Sequence, residues 1–282
     1  MKKKPSAALI LACLLSLCLV GCASVPSPDA GKTIYVFTMP PTATPTGTPV
    51  ATSTPTPTPT PTPDPTPTPT PDPYVGQTLV IHPKNAAFFY VTLTPALKER
   101  ITGVSYPAPG QPCRIGYDDL RYVKILYVDF DGQEHDGELM VNRLVADDVL
   151  DIFYELYAAR YPLARVRLLD DYGEAGDDNL SMADNNTSCF CYRQVTGAAR
   201  LSWHSYGAAI DVNPVQNPYT HGSEVAPSAA RAYLDRANKR PGMIDHNDLC
   251  YRLFKAHGWN WGGDFNGDKD YQHFYKDIGW SR

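Results

Sequence analysis

Residues 40–73 hold 14 Pro and 13 Thr among 34 positions, and nothing else in the chain restricts its folding as severely. Each Pro fixes φ and lacks an N–H donor, so the Thr-Pro alternation from Thr54 to Pro73 supports neither a helix nor a sheet ladder. Extended polyproline II at about 3.1 Å per residue is expected, with a reach on the order of 100 Å. The tract divides the 282 residues into a short N-terminal segment and a C-terminal stretch of roughly 200 residues, enough for one core. Outside it the composition is ordinary, which excludes a collagenous, fibrous or wholly disordered chain. Lys plus Arg total 25 against 30 Asp plus Glu, a net charge of −5, so there is no basic footprint for nucleic acid. Only one long apolar run occurs, so a polytopic membrane protein is excluded too.

That run is the N-terminus. Lys2, Lys3 and Lys4 precede an apolar stretch from Ala7 to Val20, interrupted only by Ser16. It is short for a membrane span and has the layout of a secretory signal. It ends Leu19-Val20-Gly21-Cys22, which resembles the lipobox of bacterial lipoproteins. The resemblance implies that residues 1–21 are removed and that Cys22 carries the lipid. Residues 22–77 would then be a lipidated N-terminus and disordered linker, holding a domain at 78–282 on the extracytoplasmic face of the membrane. An ordinary signal peptide and an uncleaved anchor are the alternatives.

Within 78–282 the patterning is mixed. Thr94-Pro95 followed by Ala-Leu-Lys-Glu-Arg reads as a cap, Pro in the first turn and a helix ending by Gly103. Tyr122 to Phe130 reads as a strand, Asp131-Gly132 as a turn and Glu138 to Val141 as its partner. Val145, Val149, Ile152, Phe153, Leu156 and Tyr157 share one helix face, and Pro162 stops that helix. Val166 to Leu169 reads as a short strand. Leu249, Cys250, Leu253 and Phe254 mark another helix, closed by Gly258. Strands and helices do not alternate strictly, so the expected class is α+β: one compact domain with a small central antiparallel sheet flanked by helices.

Of seven His, His82, His135, His221 and His246 sit in polar or Pro/Gly contexts and are expected to face solvent. His257 adjoins the helix end at Gly258, where a cation is favourable. His204 and His273 remain. His204 lies seven residues before Asp211, too far along a helix to share a metal. A turn at Gly207 would fold His204 back over a strand from Ala208 to Val212, with Asp211 opposite Ile210. An Asp in so apolar a run must be paired or liganded. Two His and one carboxylate with an open fourth position form the pattern of a catalytic zinc site. Asp270, three residues before His273, would serve as base for a bound water.

The string Ser202-x-His204-x-x-Gly207-x-Ala209-x-Asp211 resembles the core signature of D-alanyl-D-alanine carboxypeptidase-type zinc peptidases. That group includes L-alanyl-D-glutamate endopeptidases and D-Ala-D-Ala dipeptidases. Gly258-Trp259-Asn260-Trp261-Gly262-Gly263-Asp264-Phe265 and Asp270-Tyr271-Gln272-His273-Phe274 resemble its second signature. The resemblance spans roughly residues 100–280 and implies a zinc-peptidase domain in which His204, Asp211 and His273 hold Zn2+. Asp270 would act as general base and then acid. Arg193 would hold a substrate carboxylate or the oxyanion, as a planar cationic donor suits. Ser202 would contact substrate or support the site. The implied activity is hydrolysis of peptidoglycan stem peptides, removing the terminal D-Ala, by a monomer. Cleavage at an L-alanyl-D-glutamate-type bond, or a non-catalytic wall-binding lipoprotein, are the alternatives.

Cys113, Cys189, Cys191 and Cys250 lie in the domain, where export permits disulfides and three connectivities are possible. Free thiols are the alternative. A Cys nucleophile paired with His204, or a Ser202-His204-Asp211 triad, finds no supporting signature. Asp264-x-Asn266-x-Asp268 fails the calcium-loop pattern, since Lys269 and Tyr275 stand where Gly and Glu are needed.

Overall fold

The computed structural model describes residues 25–26, 33–36, 74, 76–173, 176–195 and 197–280. The expected signal, Cys22 and the Pro/Thr tract lie outside the described residues. The observed architecture mixes small antiparallel sheets with a few short helices. The main sheet runs in chain order through β1 (Val25–Pro26), β2 (Thr33–Val36), β3 (Thr78–Ile81), β4 (Phe89–Val91), β5 (Leu120–Val128) and β6 (Glu134–Asn142). Helix α1 (Pro95–Ile101) is inserted after β4; Thr94 Oγ1 caps it by accepting from the Leu97 amide.

The β5–β6 hairpin pairs nine residues with nine, from Leu120 opposite Asn142 to Val128 opposite Glu134. Its turn is closed by Asp129, whose carboxylate accepts from the amides of Asp131 and Gln133. Period-two alternation sends Val123, Ile125 and Tyr127 to one face of β5 and Leu120 and Tyr122 to the other, and both faces are covered. Helix α2 (Ala146–Ala158) buries Val149, Leu150, Ile152, Phe153 and Leu156 against the first face. Each such side chain contributes about 1.5–3 kcal/mol by leaving water. Among the described residues no helix is long and apolar enough to cross a membrane.

Two expectations need correction. The strand expected at 166–169 is only β7 (Arg165–Val166), and Leu169–Asp171 is a 3-10 turn. Asp170 causes the turn: its carboxylate accepts from the amide and hydroxyl of Ser105, pulling the chain away from a ladder. His82 is buried rather than solvent-facing; it stacks on Tyr154 at 4.1 Å and lies 3.4 Å from Asp151.

Beyond β7 come α3 (Asp178–Ala183) and β8 (Asn186–Thr187), which pairs in parallel with β7. Two three-stranded sheets then build the site. One joins β9 (Ala209–Asp211), β12 (Asn260–Trp261) and β14 (His273–Tyr275), with β14 central. The other joins β10 (Tyr219–His221), β11 (Glu224–Ala226) and β13 (Lys269–Asp270), with β10 central. Helix α4 (Leu249–Ala256), capped by Asp248, packs Phe254 flat on Phe274 of β14 at 4.1 Å. Ile210, Val212, Phe274, Trp259 and Trp261 join the core under α2, so the inner faces of the two ligand-bearing strands are anchored in it.

Candidate metal centre

The turn that carries His204 is a 3-10 segment, Trp203–Tyr206, ended by Gly207 in the left-handed region at φ 64°. Only Gly is free of strain there, and a Cβ would also lie 2.6 Å from the Asn142 amide nitrogen. That close approach is used. The Asn142 amide donates to Gly207 O at 2.8 Å, and its side chain donates to Tyr206 O at 2.8 Å. The end of β6 therefore fixes the His204 turn. Ser202 Oγ accepts from the His204 amide at 3.3 Å, so its hydroxyl caps the turn. Beyond Gly207 the chain enters β9. There Asp211 stands directly across the ladder from His273, and Ile210 faces Phe274.

His204, Asp211 and His273 converge. His204 Nε2 is 3.1 Å from His273 Nδ1 and 3.3 Å from Asp211 Oδ2; His273 Nδ1 is 2.9 Å from Asp211 Oδ1. A tetrahedral ion about 2.0–2.1 Å from each donor needs donor separations of about 3.3 Å, close to those observed. His204 Nδ1 lies 2.5 Å from Cys189 O, so that nitrogen donates to the carbonyl and Nε2 presents its lone pair inward. Two ring nitrogens and a carboxylate oxygen facing one point form a donor set that suits zinc. Among the described residues this is the group that could hold a metal ion.

The electrostatics agree. Burial opposes charge on His204, but Asp211 outweighs it and raises its pKa. Burial also opposes ionisation of Asp211, yet His204 and then His273 hold its carboxyl far below the usual range. Asp270 behaves oppositely. Burial pushes its carboxyl up to about 6, with the Asp211 charge adding to the rise and His273 opposing it. Its Oδ1 is buried without a partner. Asp270 pairs with Tyr219 across β10–β13, and a tight turn presses on it from behind: a Cβ on Gly262 would lie 2.5 Å from Asp270 O.

Arg193 arrives by a separate route. Ser188 bridges Asp211 through two backbone hydrogen bonds, and the chain continues past His204 with the Cys191 amide donating to His204 O. The Arg193 amide then donates to Ser205 Oγ at 2.9 Å. Its side chain meets Asp178 on α3. Sequence reasoning missed the Cys189 carbonyl, the Ser205 hydroxyl and Asp178. A backbone carbonyl carries no residue signature, and Asp178 has no spacing relation to any motif.

The four domain cysteines are free thiols. Burial pushes Cys189 well above the ordinary thiol range and Cys191 up to about 12, so neither is a ready thiolate nucleophile. His204 Nε2 faces Asp211 and His273 rather than Ser202, which disposes of a serine triad. Asp264 and Asp268 pair with His246 and His221.

Residues 196–276 match the family model described as D-alanyl-D-alanine carboxypeptidase; they include Ser202, His204, Asp211, Asp270 and His273, while Arg193 falls just before them. No curated protein and no solved structure matches the chain. The stretch that builds the candidate metal centre is thus similar to the D-alanyl-D-alanine carboxypeptidase family over residues 196–276.

Proposed function

We propose that this chain is a zinc-dependent peptidase that removes the terminal D-Ala from peptidoglycan stem peptides, working outside the cell membrane on a lipid tether at Cys22. The observation that carries the reading is the three-donor cluster with a fourth, proton-hungry carboxyl beside it. His204, Asp211 and His273 would hold the ion, whose chemistry is to make hydroxide available near neutral pH. Asp270 accepts the proton of the attacking water and returns it to the leaving amine. Arg193 supplies a fixed cation for the substrate's carboxylate or for the oxygen that gains charge. Core packing beneath β9 and β14 holds these groups in register.

The test is digestion of purified muropeptides, with products weighed by mass spectrometry. Loss of one terminal D-Ala, abolished by a chelator and restored by zinc, supports the assignment. Release at an L-alanyl-D-glutamate bond would move the activity to an endopeptidase. Intact muropeptides with a zinc-loaded protein would refute the hydrolase reading.

A further inference from the structure

The peptidase reading leaves Asp178 without a part, and the contacts around Arg193 give it one. Arg193 Nη2 lies 2.8 Å from Asp178 Oδ2, with the two side chains 33% and 22% exposed. Among the described residues its Nε is buried with no hydrogen-bond partner. Desolvating such a pair roughly cancels its Coulomb gain, so stability alone is a weak reason for it. Asp178 is itself held in place. Asp177 caps α3 by accepting from the amides of Asn179 and Leu180. Ser181 Oγ accepts from Asn186 Nδ2, and Met182 Sδ is 3.6 Å from Gln272 Nε2, next to His273 in sequence. Helix α3 thus touches the residue that immediately precedes β14, the strand that brings His273.

We propose that Asp178 is a positioning residue: by holding the terminal nitrogen Nη2 of Arg193 it sets the rest of the guanidinium fork, with its unpartnered Nε, to take the free carboxylate of a peptide substrate. The guanidinium suits this, because its planar fork stays rigid once one arm is fixed. The inference rests on the peptidase reading for its substrate class.

A double-mutant cycle tests it on the full chain, with an acyl peptide ending in D-Ala-D-Ala and the same peptide as its C-terminal amide. Asp178→Ala is expected to raise KM for the free-carboxylate peptide about tenfold, with kcat and zinc content little changed. The amide, which lacks the carboxylate, should be almost unaffected. In an Arg193→Ala background the same substitution should add nothing, because its only route to substrate is gone. Asp178→Asn, which keeps an acceptor, should fall between. An unchanged KM in Asp178→Ala, or an equal loss in the Arg193→Ala background, would overturn the proposal. Calorimetric binding of the carboxylate peptide to metal-stripped protein gives a second readout. Weaker binding in Asp178→Ala that vanishes in the Arg193→Ala background supports the positioning role even if no bond is cleaved. Absence of binding to the unsubstituted protein counts against it.

Discussion

Replacing Asp270 by Asn should make the metal-stripped protein more stable while abolishing turnover. The free Asp270 carboxyl titrates near 3.8, and in the fold burial raises it to about 6. A raised folded value means that protonation favours the native state. Its contribution is complete below the unfolded pKa and is lost as pH rises through about 6. At pH 7 the folded protein therefore carries an ionised carboxylate with one oxygen, Oδ1, buried and without a hydrogen-bond partner. A difference of about two pH units corresponds to about 3 kcal/mol. Asn removes that charge at nearly constant shape. The expected gain at pH 7 is up to about 3 kcal/mol, or a Tm higher by about 5–10 °C for a domain of this size. Asp211 runs the other way, since its depressed pKa stabilises the fold above the unfolded value and is lost on acidification. It is present in both proteins, so the comparison reads Asp270 together with its coupling to Asp211. The assay is thermal melting in chelator at half-unit steps from pH 4 to 8. The gap should open between pH 4 and pH 6 and close again at pH 4. An Asn variant no more stable than the parent at pH 7, or a gap independent of pH, would refute the account of Asp270.

Three further outcomes are expected. His204→Ala should lose bound zinc as well as turnover, whereas Asp270→Ala should keep zinc and lose turnover; elemental analysis beside a rate assay separates them, and full activity in Asp270→Ala would remove it from the chemistry. Gly262→Ala forces a methyl to within 2.5 Å of the Asp270 carbonyl oxygen; displacing the base should cost about 10–100-fold in kcat with zinc content intact, and an unchanged kcat would show that the turn yields. Unfolding without reductant should expose four titratable thiols from Cys113, Cys189, Cys191 and Cys250, and fewer would mean that disulfides form after all.

Much of the site was readable from local pattern. The αL turn at Gly207, and a strand that sets Ile210 inward and Asp211 opposite, follow from residue types within eight positions. The α2 face was equally plain, because six apolar side chains keep helical spacing over three turns. What escaped depends on contacts distant in sequence or carried by the backbone. His82 is buried because Tyr154 and Asp151 come from α2, about seventy residues on. Strands β3 and β4 are short and gain their order from β5 rather than from strong alternation of their own. The Cys189 carbonyl that orients His204 would be the same whatever side chain stood there.

The bond from the Asn142 amide to Gly207 O makes the β5–β6 hairpin a measuring rod for the catalytic turn. Only the end of the rod matters. Extra residues in the exposed Asp129–Gln133 bend would lengthen the free tip and leave the far end where it is. A two-residue slip of β6 along β5 would keep every side chain on its proper face yet carry Asn142 about 7 Å past its mark. Such a protein would retain its core and most of its ladder while His204 lost its seat, so a correctly folded but inactive population would point first to hairpin alignment.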